Sequence, residues 1–469
     1  MGVGVSGWRL AGAVASTGNL GVVSGVGLDT LLARRLQLGD PGGHLRRGLA
    51  SFPFSGVAEQ VIERYYKPGG IDARRPFRPV PASSLRPRPS AALLAVAANF
   101  VEVFLAKENH DGPVGVNYLE KLQMATPAAV YGAMLAGVDY VLMGAGIPAD
   151  IPGLLTSLAA GRSGSVTVGV HASAGTPATV VIDPATLFGV TAEMPRPRFL
   201  AIVSSNVLAS YLARDDRTRP DGYVVEGAGA GGHNAPPRGP LVLDEAGEPV
   251  YGPRDVVDLD KMAALGLPYW LAGGQTGPGR LRDARARGAA GIQVGSAFAL
   301  CDESGMDPSL KRDLIDRWFA GTLKVRTDPV ASPTGFPLKV AHLAGTVAEQ
   351  LVYEQRTRIC DVGFLRLPYR KANGRIGYRC PAEPISTYVG KGGQVEDTAD
   401  RRCLCNGLIA TIGLGQRRPA QQNEPPLVTI GQDLSFLRDL ASSPDRSYTA
   451  ADVIAYLLRS AFRQDTYPR

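Results

Sequence analysis

His233 closes the run Gly229-Ala230-Gly231-Gly232-His233 and is one of five histidines in 469 residues. An imidazole can take or give a proton near neutral pH, and glycines beside it let the backbone approach a flat or anionic ligand. Two more glycine loops follow at short intervals: Gly273-Gly274 after Trp270-Leu271-Ala272, and Gly295-Ser296 after Ile292-Gln293-Val294. Exposed N–H groups in such loops, and a helix starting behind them, attract phosphate oxygens. One glycine pair is usually only a turn. Three loops in this order, one ending in histidine, predict a phosphate-bearing cofactor beside a group that handles protons. The other histidines, His44, His110, His171 and His342, lack such flanks and read as structural or exposed. Gly227, Gly229 and Gly232 also match G-x-G-x-x-G, but Pro236 and Pro237 follow where a dinucleotide fold needs a helix.

A second cluster lies towards the C-terminus. Cys360, Cys380, Cys403 and Cys405 are spaced C-x19-C-x22-C-x-C. Four thiolates can hold zinc or an iron–sulfur cluster, although the paired C-x2-C knuckles of common sites are missing. Four simply buried cysteines are the equal alternative. Cys301 reads as a core residue.

The chemistry needs a scaffold, and the chain supplies short β-branched runs that end in glycine or small polar residues. They are Leu20 to Ser24, Val114 to Tyr118, Tyr140 to Met143, Phe199 to Ser204, Gly222 to Glu226, Tyr269 to Ala272 and Gly291 to Val294. Helical patterns follow several of them, as at Arg280 to Arg287. This alternation predicts a parallel α/β sheet, and specifically a (β/α)8 TIM barrel with insertions. Such a barrel needs one more strand. Met1-Gly2-Val3-Gly4-Val5-Ser6 reads as a glycine loop running into a helix, so the first strand is expected to be missing from the chain: either the true start lies upstream, or another segment closes the barrel. The insertions are expected at about 39–112 and 147–198, the second carrying a β-hairpin from Ser165 to Val170 and Thr179 to Ile182. The barrel spans 1–324. A C-terminal module with the four cysteines spans 325–469 and ends in a helix near Ala450 to Arg463.

Composition narrows the classes. The chain is 45% hydrophobic and 20% charged, which argues against wholesale disorder. The net charge of +7 is dispersed and rarely interleaved with aromatics, which speaks against nucleic acid and fits an anionic substrate or cofactor. Arg74 to Arg88 is the densest basic stretch, proline-rich, and reads as a surface loop. Ala91 to Ala106 is interrupted by Asn99 and Glu102, which suits a buried helix better than a membrane span. An odd number of cysteines in a chain of this size predicts a reducing cytoplasm.

On these motifs the sequence resembles the nitronate monooxygenases, formerly 2-nitropropane dioxygenases, and the related flavin-dependent enoyl-thioester reductases. The resemblance runs over roughly residues 1 to 325. It rests on Met1-Gly2, on Asn117 after the Val114 strand, on Ala230-Gly231-Gly232-His233, on Ala272-Gly273-Gly274, and on Gln293-Val294-Gly295-Ser296. It implies FMN, with the phosphate held around Gly273, Gly274, Gly295 and Ser296, and with Gly2, Asn117 and Gly231 along the flavin. The family often carries Gln where this chain has Glu226, so a carboxyl that is either protonated or turned towards an Arg is expected there.

Two chemistries are implied. In one, an alkyl nitronate is oxidised at the expense of dioxygen to a carbonyl compound and nitrite, with His233 binding the nitro group or moving a proton. In the other, NAD(P)H reduces a small or carrier-bound enoyl thioester, with His233 supplying the proton at the α-carbon. A non-catalytic flavin-binding or docking component is a third reading, and a homodimer is compatible with all three.

Overall fold

The computed structural model describes residues 2–171, 177–418 and 423–459. Seven strands form one parallel sheet: β1 (Gly21–Ser24), β2 (Val114–Leu119), β3 (Tyr140–Gly144), β6 (Arg198–Val203), β7 (Gly222–Glu226), β8 (Tyr269–Ala272) and β9 (Gly291–Gln293), adjacent in that order. Between them chain β4 (Gly164–Val168) and β5 (Ala178–Ile182) make a separate antiparallel hairpin. All seven expected runs are therefore strands of a single sheet, and the expected hairpin is present.

Side chains alternate between the two faces of each strand. One set, including Val23, Val141, Met143, Phe199, Tyr223 and Val225, is buried within the main core that the surrounding helices share. The other set, Val22, Leu142, Leu200, Val224, Trp270 and Ala272, forms its own inner cluster. Burial on both faces is why these strands read as nearly continuous apolar runs.

The curled sheet has two edges, β1 and β9, which are not paired with each other. Closure by eight strands is not what is seen among the described residues. The helices Trp8–Ala15 and Ala450–Leu458 pack together. Leu10 and Val14 from the first, and Ile454 and Leu457 from the second, line the same internal cavity as the β1 residue Val22 and the β9 residue Ile292. The first helix lies very close to the sheet: a Cβ at Gly21 would stand 1.9 Å from the Ala11 carbonyl oxygen, so only glycine fits there.

The long Gly25 to Gly112 connection folds largely as helices, ending in Pro89–Lys107. That helix is long and apolar enough to cross a membrane by composition, yet it is mostly buried inside the fold. Its polar residues are satisfied there. Asn99 accepts from the Tyr118 hydroxyl at 2.9 Å, and Glu102 accepts from the Trp8 N–H at 2.9 Å and meets Arg35 at 3.3 Å.

Beyond β9 the chain forms two antiparallel hairpins, β10 (Lys324–Asp328) with β11 (Leu338–His342), and β12 (Leu367–Arg370) with β13 (Ile376–Arg379). The C-terminal helix is described over Ala450–Leu458; positions from 460 onward lie outside the described residues. A second core joins the two ends of the chain, with Val5, Leu10 and Val14 packed among Val428, Ile430, Phe436 and Val453.

Candidate active site

Parallel strands bring their C-terminal ends to one rim, so loops far apart in sequence converge there. A cavity of about 440 Å³ opens at this rim, within the ~300–1,000 Å³ of ordinary small-molecule sites. Gly2, Asn117, Glu226, Gly231, Gly232, Gly273, Gly274, Gln293, Gly295 and Ser296 all line it. Met1 lies outside the described residues. His233 follows Gly232 directly but is not among the lining residues; it stands beside the cavity, half-buried.

The loops differ in what their glycines do. Gly273 has φ +82°, and a Cβ there would come within 2.8 Å of the Gly227 carbonyl oxygen, so its glycine keeps two rim loops in contact. Gly274 and Gly295 instead face open space, with no heavy atom within 4 Å of an added Cβ. These two are the bare backbone a bound phosphate requires, so the rim fits an FMN phosphate. The loop before His233 is clamped on both sides. Gly232 N–H donates to Thr429 Oγ1 at 2.9 Å, Lys339 N–H donates to the Gly232 carbonyl at 2.9 Å, and Asn234 N–H donates to the Pro337 carbonyl at 2.8 Å.

Thr429, Ile430, Gly431 and Asp433 also line the cavity, and sequence reasoning missed them. Gly431 N–H donates to Ser296 Oγ at 2.9 Å, and a Cβ on Gly231 would stand 2.7 Å from the Gly431 nitrogen. The segment thus rests directly on two of the glycine loops. The tripeptide Thr429-Ile430-Gly431 carries no pattern that sets it apart from any other loop. Ser332 was missed in the same way: His233 Nε2 and Ser332 Oγ are 2.7 Å apart.

Two titrating groups are displaced by their surroundings. Glu226 points to the same side of β7 as Val224, beside Ala272 on β8. Burial pushes its carboxyl up to about 7, well above the ordinary carboxylate range. Burial, helped by the charge of Lys121, draws His233 down to about 4, so the imidazole is neutral at pH 7.

Their effects on stability run in opposite directions. Between about 4.5 and 7 the folded chain holds a proton on Glu226 that the unfolded chain has lost, so stability falls as pH rises. Between about 4 and 6.5 the unfolded chain holds a proton on His233 that the folded chain refuses, so stability rises with pH. Over their shared window the two contributions oppose each other. Glu226→Gln is therefore expected to expose a stability that climbs with pH over this window, and His233→Asn one that declines. Urea unfolding of the FMN-free variants across the window checks this, and equal slopes in both would contradict it.

Of the two readings of the four cysteines, metal site or buried thiols, the structure lends support to the second. The four thiols share one neighbourhood, since charge on Cys360 or Cys403 would raise the pKa of Cys380 and Cys405. Yet no group of three or more His, Cys, Asp or Glu side chains among the described residues is arranged to hold a metal. Burial, with the neighbouring thiols, raises all four thiols, Cys360 to about 12. They are packed thiols: Cys403 Sγ accepts from Asn406 Nδ2 at 3.5 Å, and that amide also bonds Asp361 at 2.7 Å. Cys301 is fully buried, as expected.

Residues 198–329 match the family model described as nitronate monooxygenase. A Bacillus subtilis (strain 168) protein described as a probable nitronate monooxygenase is 34% identical over 102 residues, which span 22% of this chain and 28% of that protein. Among solved structures, FabK from Thermotoga maritima aligns over 97% of this chain and 89% of its own, at 15% identity and a TM-score of 0.45. A nitroalkane oxidase from Streptomyces ansochromogenes aligns over 98% and 93%, at 16% identity and a TM-score of 0.41.

Proposed function

We propose, for a chain that belongs through residues 198–329 to the nitronate monooxygenase family, that it is an FMN-dependent oxidoreductase that oxidises alkyl nitronates to carbonyl compounds and nitrite. The observation that carries this is the convergence of Asn117, Glu226, Gly231, Gly274, Gly295 and Ser296 on one cavity beside a neutral His233. Held by the rim loops around Gly274, Gly295 and Ser296, FMN would supply the capacity to accept electrons and to be reoxidised by dioxygen. The balance is two nitronates and one dioxygen giving two carbonyl compounds and two nitrites: each carbon gains one oxygen, and each C–N bond breaks.

The protein's own part is to bind and orient. Gly274 and Gly295 would offer backbone N–H groups to the phosphate, and Gly2, Asn117 and Gly231, which line the same cavity, would lie along the ring. Glu226, its carboxyl raised to about 7, carries less negative charge beside the flavin at neutral pH than an ordinary carboxylate would. His233 presents a neutral imidazole: a ring N–H to the nitro oxygens of a nitronate, or a lone pair to the acidic C–H of the parent nitroalkane.

An anaerobic test separates this reading from an enoyl-thioester reductase. Purified oxidised protein is mixed with a nitronate and, separately, with NAD(P)H, and flavin absorbance is followed. Rapid bleaching by the nitronate alone is expected. Bleaching by NAD(P)H alone would transfer the assignment to the reductase, and protein purified without FMN that takes none up would leave only a docking role.

A further inference from the structure

The contact made by His233 continues outward. Ser332 Oγ, fully buried, lies 2.7 Å from His233 Nε2 and 2.7 Å from Thr334 Oγ1, and Thr334 is only half-buried. Backbone donors fix both hydroxyls: Thr334 N–H donates to Ser332 Oγ at 3.2 Å, and Phe336 N–H donates to Thr334 Oγ1 at 3.3 Å. Arg401 anchors the segment, its guanidinium donating to the Val330 and Ser332 carbonyls at 2.7 Å each. All of these lie beyond residue 329, outside the family match.

We propose that Ser332 and Thr334 form a two-hydroxyl relay that carries protons between His233 and solvent, with Ser332 also the positioning residue that holds the imidazole. The proposal rests on the reading of His233 as the group that exchanges a proton with substrate.

Every proton is accounted for in two arrangements. In the first, Nε2–H donates to Ser332, the Ser332 hydroxyl donates to Thr334, and the Thr334 hydroxyl donates to water, leaving the Nδ1 lone pair free. When Nδ1 takes a proton, the Nε2 proton moves to Ser332, the Ser332 proton to Thr334, and the Thr334 proton to water. The second arrangement results, with Thr334 donating to Ser332 and Ser332 donating to Nε2, while Nδ1 keeps the new proton. One proton has reached solvent and no charge remains buried. Run backwards, the same relay delivers a proton to substrate. Each oxygen keeps one donated and at least one accepted hydrogen bond in both arrangements, so neither leaves a buried hydroxyl unsatisfied. Nδ1 has no hydrogen-bond partner among the described residues and is the nitrogen left to face substrate.

The test uses the full chain with FMN bound and its histidines labelled with 15N. Thr334→Val removes the outer hydroxyl without touching the His233 contact. It is expected to slow exchange of the His233 ring proton with water, and turnover of a neutral nitroalkane, by about tenfold or more, while the Nε2 shift stays at its hydrogen-bonded value. Thr334→Ser is expected to restore both rates. Ser332→Ala is expected to move the Nε2 shift itself. Wild-type exchange and turnover in Thr334→Val would overturn the relay. If instead His233→Asn leaves flavin bleaching by the neutral nitroalkane unchanged, it is the proton-handling role of His233 that falls, and the exchange rates still judge the relay.

Discussion

Replacement of His233 by alanine is expected to lower turnover roughly 10²- to 10⁴-fold, the usual range for losing a positioned acid–base group, with FMN still bound. Retention follows from the geometry: His233 does not line the cavity, whereas the residues proposed to hold the cofactor do. Fold is also expected to survive, because the loop is held by backbone bonds from Gly232 and Asn234 to Thr429, Lys339 and Pro337, which the substitution leaves intact. The measurement is single-turnover flavin bleaching by a neutral nitroalkane, which must lose its acidic C–H proton first, alongside flavin content after gel filtration. A variant that bleaches at the wild-type rate would remove His233 from the chemistry. One that loses flavin would make it a cofactor-binding residue instead.

Gly295→Val is expected to abolish FMN retention while leaving the protein folded, with affinity lower by about 10²-fold or more, or ~2.7 kcal/mol. The separation is possible because of where this glycine sits. Its φ of −121° is open to any residue, and an added Cβ meets nothing within 4 Å. A valine is thus accommodated by the protein and projects into the space proposed for phosphate. Gly273→Ala would be a poor substitute, since its positive φ and the 2.8 Å approach to Gly227 strain the rim itself. Thermal unfolding without FMN should be nearly unchanged in Gly295→Val, and flavin fluorescence titration should show the loss. Binding at wild-type strength would move the phosphate away from this loop.

Much of the scaffold was legible because it is written in local terms. Gly222–Glu226 and Tyr269–Ala272 coincide with the runs read from β-branched and aromatic residues, and the Ser165 to Ile182 hairpin appears where its two runs and intervening turn require. The rim glycines were legible for the same reason, since a loop that must follow a strand and bare its backbone can use little else. Closure of the barrel was less so: seven strands were read with the eighth expected upstream or supplied by another segment, and the edges β1 and β9 look onto a cavity lined by residues of two helices.

Sequence by itself determined which segments become strands, their order in the sheet, and which loops meet at the rim with His233 among them, because strand propensity, turn chemistry and parallel connection act over a few residues at a time. Only the tertiary structure decided what those loops meet. It set Thr429 to Gly431 on the glycine loops, joined Ser332 to a histidine 99 positions away, and gathered four cysteines without arranging three of them, among the described residues, to hold a metal. It also drew Glu226 and His233 far from their ordinary acidities. Those outcomes depend on burial and on contacts closed across the whole chain, and neither quantity has any local signature in the order of the residues.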